Sequence, residues 1–272
     1  MRQRPMRYID IGVNLFSRSF PEPERTLEEA GAAGVYCILT GSDGEENEKI
    51  AAFLPGHEVL GTAGIHPHNA DRAREEDFSE IRRLASEEMR IVAVGECGLD
   101  YDRMFSSREN QIRCLERQLS IAEETGKPLF LHERSAVEDF LAIFRERPAL
   151  CKRAVVHCFT EGRDVLMRLL EMGFLVGVTG WIADERRSDA LRDAVRVLPT
   201  DRFMLETDAP YLTPRGIPGL GRTNVPGNIR YVAEKLAECM GISTEEVERC
   251  ALRNTLRFFG LETEGEKIRV CR

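Results

Sequence analysis

Eight short runs rich in β-branched and other apolar residues recur along the chain, each followed by a charge-bearing amphipathic segment. Such alternation reads as parallel strands joined by crossover helices, since a parallel neighbour can be reached only by a connection that returns to the same end of the sheet. The strands are expected near Tyr8–Asn14, Val35–Thr40, Val59–His66, Ile91–Gly98, Pro128–Glu133, Ala154–Phe159, Phe174–Thr179 and Arg202–Asp208. Eight in succession predict an α/β fold, the (β/α)8 TIM barrel. An open doubly wound sheet competes with it, but Gly12-Val13-Asn14-Leu15 lacks the glycine-rich phosphate loop that usually follows the first strand of that fold. The connections have helical apolar spacing, as in Ile112, Leu115, Leu119 and Ala122, then Val137, Phe140, Leu141 and Phe144. Two further helices, Val232–Met240 and Thr244–Phe258, are expected to cover the barrel. At 272 residues and 42% hydrophobic content, residues 1–272 are expected to form one barrel domain.

Polar residues fall where a barrel strand meets the following loop. Asp10, His66, Glu96, His132, His157 and Asp208 all do so, and that end of the barrel is its catalytic face. Gathering ionisable groups there is costly unless a cation or mutual pairing compensates them. Of five histidines in the chain, three end separate expected strands. Imidazoles combined with carboxylates suit Zn2+, Mn2+ or Mg2+ rather than a soft metal. Eight cysteines lie scattered without a C-x-x-C pair, as expected of reduced thiols. Strand alternation turns Cys97 and Cys158 toward the helices if Glu96 and His157 point inward. A net charge of −8 speaks against a protein that coats nucleic acid through a broad basic surface, although not against an enzyme acting on it at one site. The start of the chain shows no secretory leader and no stretch is long enough to span a membrane, so a cytoplasmic protein is expected.

Six segments, in order, carry a family resemblance: Asp10-Ile-Gly-Val-Asn14-Leu, Gly64-Ile-His-Pro-His68, Gly95-Glu-Cys-Gly-Leu-Asp-Tyr101, Phe130-Leu-His-Glu-Arg134, Val156-His-Cys-Phe-Thr160 and Glu206-Thr-Asp-Ala-Pro-Tyr-Leu-Thr-Pro214. With them the chain resembles the TatD-type metal-dependent deoxyribonucleases along its whole length. Gly177-Val-Thr-Gly-Trp-Ile-Ala-Asp-Glu-Arg-Arg187 resembles the bacterial subgroup in particular. The resemblance implies metal ligands at Glu96, His132, His157 and Asp208, and hydrolysis of DNA from the 3' end. A monomer acting on single-stranded ends is expected. Where the wider family carries an H-x-H pair, this chain has Gly12 and Asn14. Oxygen ligands and water in their place favour Mg2+. Where relatives commonly show R-N-E-P, it has Arg222-Thr-Asn224-Val-Pro226.

Asp208, His66 and Glu96 are the groups expected to act at the reacting atoms. Asp208 either takes the proton of the attacking water or only ligates; His66 contacts the phosphate or protonates the leaving oxygen. Arg134, Glu206 and Asn224 are expected to serve substrate binding: Arg134 against phosphate or in a surface ion pair, Glu206 by hydrogen-bonding support, Asn224 in its loop. His68 is expected to be a loop residue. Phe159 and Tyr211 are candidates for stacking on an unpaired base. The nearest alternative is a barrel hydrolase acting on an amide, a lactone or an aminoacyl ester, and the second a binding protein that kept the fold without the chemistry.

Overall fold

The computed structural model describes residues 6–264 and 267–271. Eight strands hydrogen-bond in chain order: β1 (Tyr8–Val13), β2 (Val35–Leu39), β3 (Leu60–Ala63), β4 (Ile91–Asp100), β5 (Leu129–Arg134), β6 (Ala154–Val156), β7 (Leu175–Val178) and β8 (Phe203–Leu205). The fold is the expected (β/α)8 barrel. A parallel bridge from Val13 to Ala209 joins the end of β1 to the segment after β8. Two short strands, β9 (Leu261–Glu264) and β10 (Lys267–Val270), pair antiparallel after the last helix. Among the described residues no helix is long and apolar enough to cross a membrane.

The described residues gather into two compact units: one of Leu39–His157 with Met172–Phe174, the other of those up to Ile38 with Cys158–Glu171 and Leu175–Cys271. The first holds β3 to β6. Its helix Arg108–Thr125 starts at Ser107, whose hydroxyl accepts from Asn110 N, and stops at left-handed Gly126. Leu115, Leu119 and Ala122 are buried on its apolar face. Phe140 and Phe144 of helix Val137–Arg145 pack with Phe174, ring centroids 4.8–5.9 Å apart, a separation at which aromatic pairs attract beyond their buried area. In the second unit, Ile229–Met240 and Thr244–Phe259 are the two terminal helices, and Ile229, Val232, Leu236 and Val247 are fully buried among them.

Several strands stop short of the expected ends, for a local reason. Cys158 and Asp208 take positive φ (46° and 54°), which takes the backbone out of the extended region. His66 caps a short 3-10 turn, Pro67–Arg72. His66, His157 and Asp208 therefore sit in the segments just beyond β3, β6 and β8. By contrast β4 runs past its expected end at Gly98 and continues to Asp100, paired to Arg134. Cys97 is buried beside Cys114 of helix Arg108–Thr125, as expected of a helix-facing thiol, and burial pushes its pKa well up. Alternation does not reach Cys158, since β6 ends at Val156; its Sγ lies 3.7 Å from Thr179 Oγ1.

Candidate metal centre

The path of β4 is what brings the polar groups of its unit together. Its register against β5 shifts by one residue between Val94 and Cys97, a bulge that re-aims the side chains between them. Beyond it, Gly98 stands opposite His132 with φ +153°, and a Cβ there would fall 1.8 Å from His132 O. Only glycine lets the two backbones approach so closely. Glu96 N donates to Gly41 O at 2.7 Å, which fixes the residue from the other side.

Glu96 is buried, and its Oε1 meets three imidazoles: His157 Nε2 at 2.7 Å, His132 Nδ1 at 2.9 Å and His66 Nε2 at 3.2 Å. His66 Nε2 and His132 Nδ1 are 3.3 Å apart. Burial pushes the Glu96 carboxyl up, but the charges of His157 and His66 and the hydrogen bonds from His132 and His157 outweigh it and hold the group well below its ordinary range. Burial likewise drives His66 down, to about 4, so that it is neutral near pH 7. His66 Nδ1 accepts from His68 N at 3.0 Å, which puts the single proton of the neutral ring on Nε2. His66 thus faces the cluster as a donor.

A second carboxylate, Asp100, completes this group and is missing from the sequence reading. Its Oδ2 lies 2.6 Å from His68 Nε2 and 3.4 Å from His132 Nε2, while Oδ1 accepts from Asp102 N and Arg103 N at 3.0 and 2.8 Å. Burial works to raise its pKa; bonding to His132, His68 and Arg103 N wins and lowers it far below the carboxylate norm. His132 is held between two acids, which overcome its burial and raise its pKa. His68, expected as a loop residue, is tied into this group. A signal for Asp100 lay in the motif: with β4 extended, Gly98 and Asp100 alternate onto the face that carries His132.

The donors fit a divalent ion. One ligand atom each from His66, Glu96 and His132 lies within 4.8 Å of the others, and His157 Nε2 reaches the same carboxylate oxygen. Three imidazole nitrogens on one buried carboxylate oxygen are more donors than that oxygen needs. Nitrogen and oxygen in this mix are the ligands of borderline and hard divalent metals.

The other unit holds the remaining candidates. Asp208 Oδ1 accepts from Asn14 Nδ2 at 3.0 Å, and Asn14 also bonds Ala209 O through its backbone N (2.8 Å) and Nδ2 (3.3 Å). Asp10 is fully buried and accepts from Gly12 N and from Thr207 N and Oγ1. Burial exceeds the effect of these bonds and pushes it up to about 8. Glu206, also fully buried, accepts from Cys158 N. Asn224 is fully buried: Nδ2 donates to Thr207 O, while Oδ1 accepts from Asn228 Nδ2 and Val225 N. Phe159 is buried, which leaves no face for a base, whereas Tyr211 is 56% exposed. In the first unit, Arg134 forms an ion pair with Asp102, at 2.9 Å from Nε.

A family model described as TatD related DNase matches residues 9–260. The "3'-5' ssDNA/RNA exonuclease TatD" of Pantoea ananatis (strain LMG 20103) is 38% identical over 258 residues, 93% of this chain and 99% of the relative. The protein of the same name from Enterobacter lignolyticus (strain SCF1) is 40% identical over 258 residues, 93% and 98% of the two chains. The crystal structure of YJJV, a TatD homologue from Escherichia coli K12, superposes with a TM-score of 0.86 at 27% identity, over 94% of this chain and 99% of that one. The chain belongs to the TatD-related DNase family.

Proposed function

We propose that this family member is a metal-dependent 3'-5' exonuclease that trims single-stranded ends of DNA in the cytoplasm as a monomer, with RNA as a second substrate by likeness to its relatives. The observation that carries the reading is the convergence of His66, His132 and His157 on one buried oxygen of Glu96. Glu96, His132 and His157 are the ligands of the ion, and Asp208 joins them on the strength of the family resemblance. With Gly12 and Asn14 replacing a histidine pair, Mg2+ is the favoured ion, ahead of Mn2+ and Zn2+. When bound, such an ion polarises a phosphoryl oxygen and lowers the pKa of water.

The chain's own groups do the rest. Asp208, held at Oδ1 by Asn14, accepts the proton of the attacking water. His66 hydrogen-bonds the leaving oxygen through its Nε2–H, a role that suits a neutral ring whose Nδ1 is already an acceptor, and the leaving oxygen takes its proton from water. Asp100 fixes His132 from behind. Arg134, oriented by Asp102, offers guanidinium hydrogens to phosphate. Glu206 and Asn224 serve the substrate indirectly: the first anchors the Cys158 amide next to His157, the second holds the carbonyl of Thr207 next to Asp208.

The test is direct. Purified protein with Mg2+ should shorten a labelled single strand from its 3' end, and the His157→Ala variant should leave the strand intact while unfolding at a similar temperature. An intact strand beside active cleavage of an amide or aminoacyl ester would sink the nuclease reading.

A further inference from the structure

The chain carries net negative charge, yet the loops after β7 and β8 place three arginines on one acid. Asp184 is almost fully buried. Its Oδ1 and Oδ2 take Arg186 Nε and Nη2 at 2.8 and 2.7 Å, a two-point fork, and Oδ2 also meets Arg187 Nε at 3.0 Å and Arg215 Nε at 3.3 Å. Three guanidinium charges against one carboxylate leave a positive surplus. It is not hidden: the side chains of Arg186, Arg187 and Arg215 are 63%, 46% and 60% exposed. Arg187 lies over the Trp181 ring, 3.6 Å from its centroid, which steadies the guanidinium by cation–π attraction. Glu185, the acid in the same stretch, comes within 4.0 Å of Arg192 instead.

The two loops that carry these arginines are pinned to one another. A Cβ on Gly180 would fall 2.1 Å from Leu212 O and 3.0 Å from the Pro214 ring. Arg186 and Arg187 on one loop and Arg215 on the next are therefore presented by a common base and not by independent loops. Guanidinium groups held in a fixed fork bind phosphate oxygens well because little side-chain freedom remains to be lost. The loops after strands seven and eight are also a recurrent place for phosphate binding in this architecture.

We infer that Arg186, Arg187 and Arg215 form a backbone subsite that grips phosphodiesters of a single-stranded nucleic acid other than the one being cut. The inference rests on the nuclease reading above and extends it to the binding of strand length. Asp184 positions the three groups, and its own pKa is lowered chiefly by the bond from Arg186.

The experiment compares a dinucleotide with a longer oligothymidylate, using the Mg2+-loaded protein. Replacing all three by glutamine (Arg186→Gln, Arg187→Gln, Arg215→Gln) should raise KM for the longer strand about tenfold, with kcat and the dinucleotide KM unchanged. Fluorescence anisotropy of an oligothymidylate protected at its 3' end gives a readout independent of turnover. The slope of log affinity against log salt should become shallower by roughly 0.7 for each phosphate that is no longer neutralised. The triple variant leaves Asp184 without its guanidinium partners, so the single Arg215→Gln variant, which keeps the Arg186 fork, serves as the folding-safe version, and its slope should fall by the increment of a single phosphate. A wild-type protein that cleaves the strand, with variants that keep its KM and salt slope, overturns the subsite alone. A wild-type protein that neither binds nor cuts the strand removes the nuclease reading and the subsite together.

Discussion

The side-chain amide of Asn14, the residue just past the end of β1, donates to Asp208 Oδ1 at 3.0 Å. The amide cannot replace an imidazole as a nitrogen ligand, but it fixes a carboxylate whose backbone stands at φ 54°. A hydrogen bond to a charged group contributes about 1.5–3 kcal/mol. Asn14→Ala should therefore lower kcat by one to two orders of magnitude. Asn14→Asp should do worse, since it sets two like charges together. Steady-state kinetics on a single-stranded substrate checks both, and an unchanged kcat in Asn14→Ala would show that Asp208 needs no such support.

Asp100 touches His68 and His132 and no other imidazole among the described residues. Removing a carboxylate that orients a ligand from behind typically weakens metal affinity about 10–100-fold. Asp100→Asn should show that loss in a metal titration followed by calorimetry, with the far-ultraviolet circular dichroism spectrum retained. Equal affinity in the two proteins would separate Asp100 from the centre.

Chelation should destabilise the protein. An ion that binds only the folded chain stabilises it by about 2.7 kcal/mol at a free concentration of roughly a hundred times Kd. The melting temperature should fall in EDTA and return on adding excess Mg2+, and should be insensitive to both in Glu96→Gln. A wild-type Tm indifferent to chelator would argue that no ion is held.

Burial holds His66 at about 4 against an ordinary 6.5. The folded protein thus binds fewer protons than the unfolded chain between those values. The stability tied to the neutral ring is complete above pH 6.5, declines as the pH falls through that window, and has gone once pH 4 is passed. Chemical denaturation of the chelated protein at a series of pH values should show this decline, and His66→Asn should flatten it. A variant with the same pH slope as wild type would place the proton uptake on other groups.

At Gly98 the β4 backbone lies against His132 O so closely that even a methyl group has no room. Gly98→Ala must push β4 and β5 apart or fail to fold. It should lose several kcal/mol in urea unfolding and, where soluble, bind metal poorly. Wild-type stability in that variant would contradict the register of Gly98 with His132.

The barrel was legible because alternation of apolar runs and amphipathic helices is a global signal that survives local error. The ligand candidates were legible because ionisable residues at strand ends need compensation. What escaped were features set by backbone detail. The bulge before Cys97 and the extension of β4 to Asp100 depend on which neighbour β4 meets. The turns at Cys158 and Asp208 depend on left-handed residues that are not glycine. Phe159 looked available for stacking only because its burial is decided by packing and not by its position beside His157.

The close glycine approach between β4 and β5 also bears on how this enzyme can change. The positions of Glu96 and His132 are written into main-chain geometry, which tolerates almost no substitution, whereas the arginine-bearing loops consist of exposed side chains on a separate base. Selection for a new preference in strand length or sugar type should accumulate its mutations at residues 185–187 and 211–222 and leave the Gly95–Asp100 run unaltered.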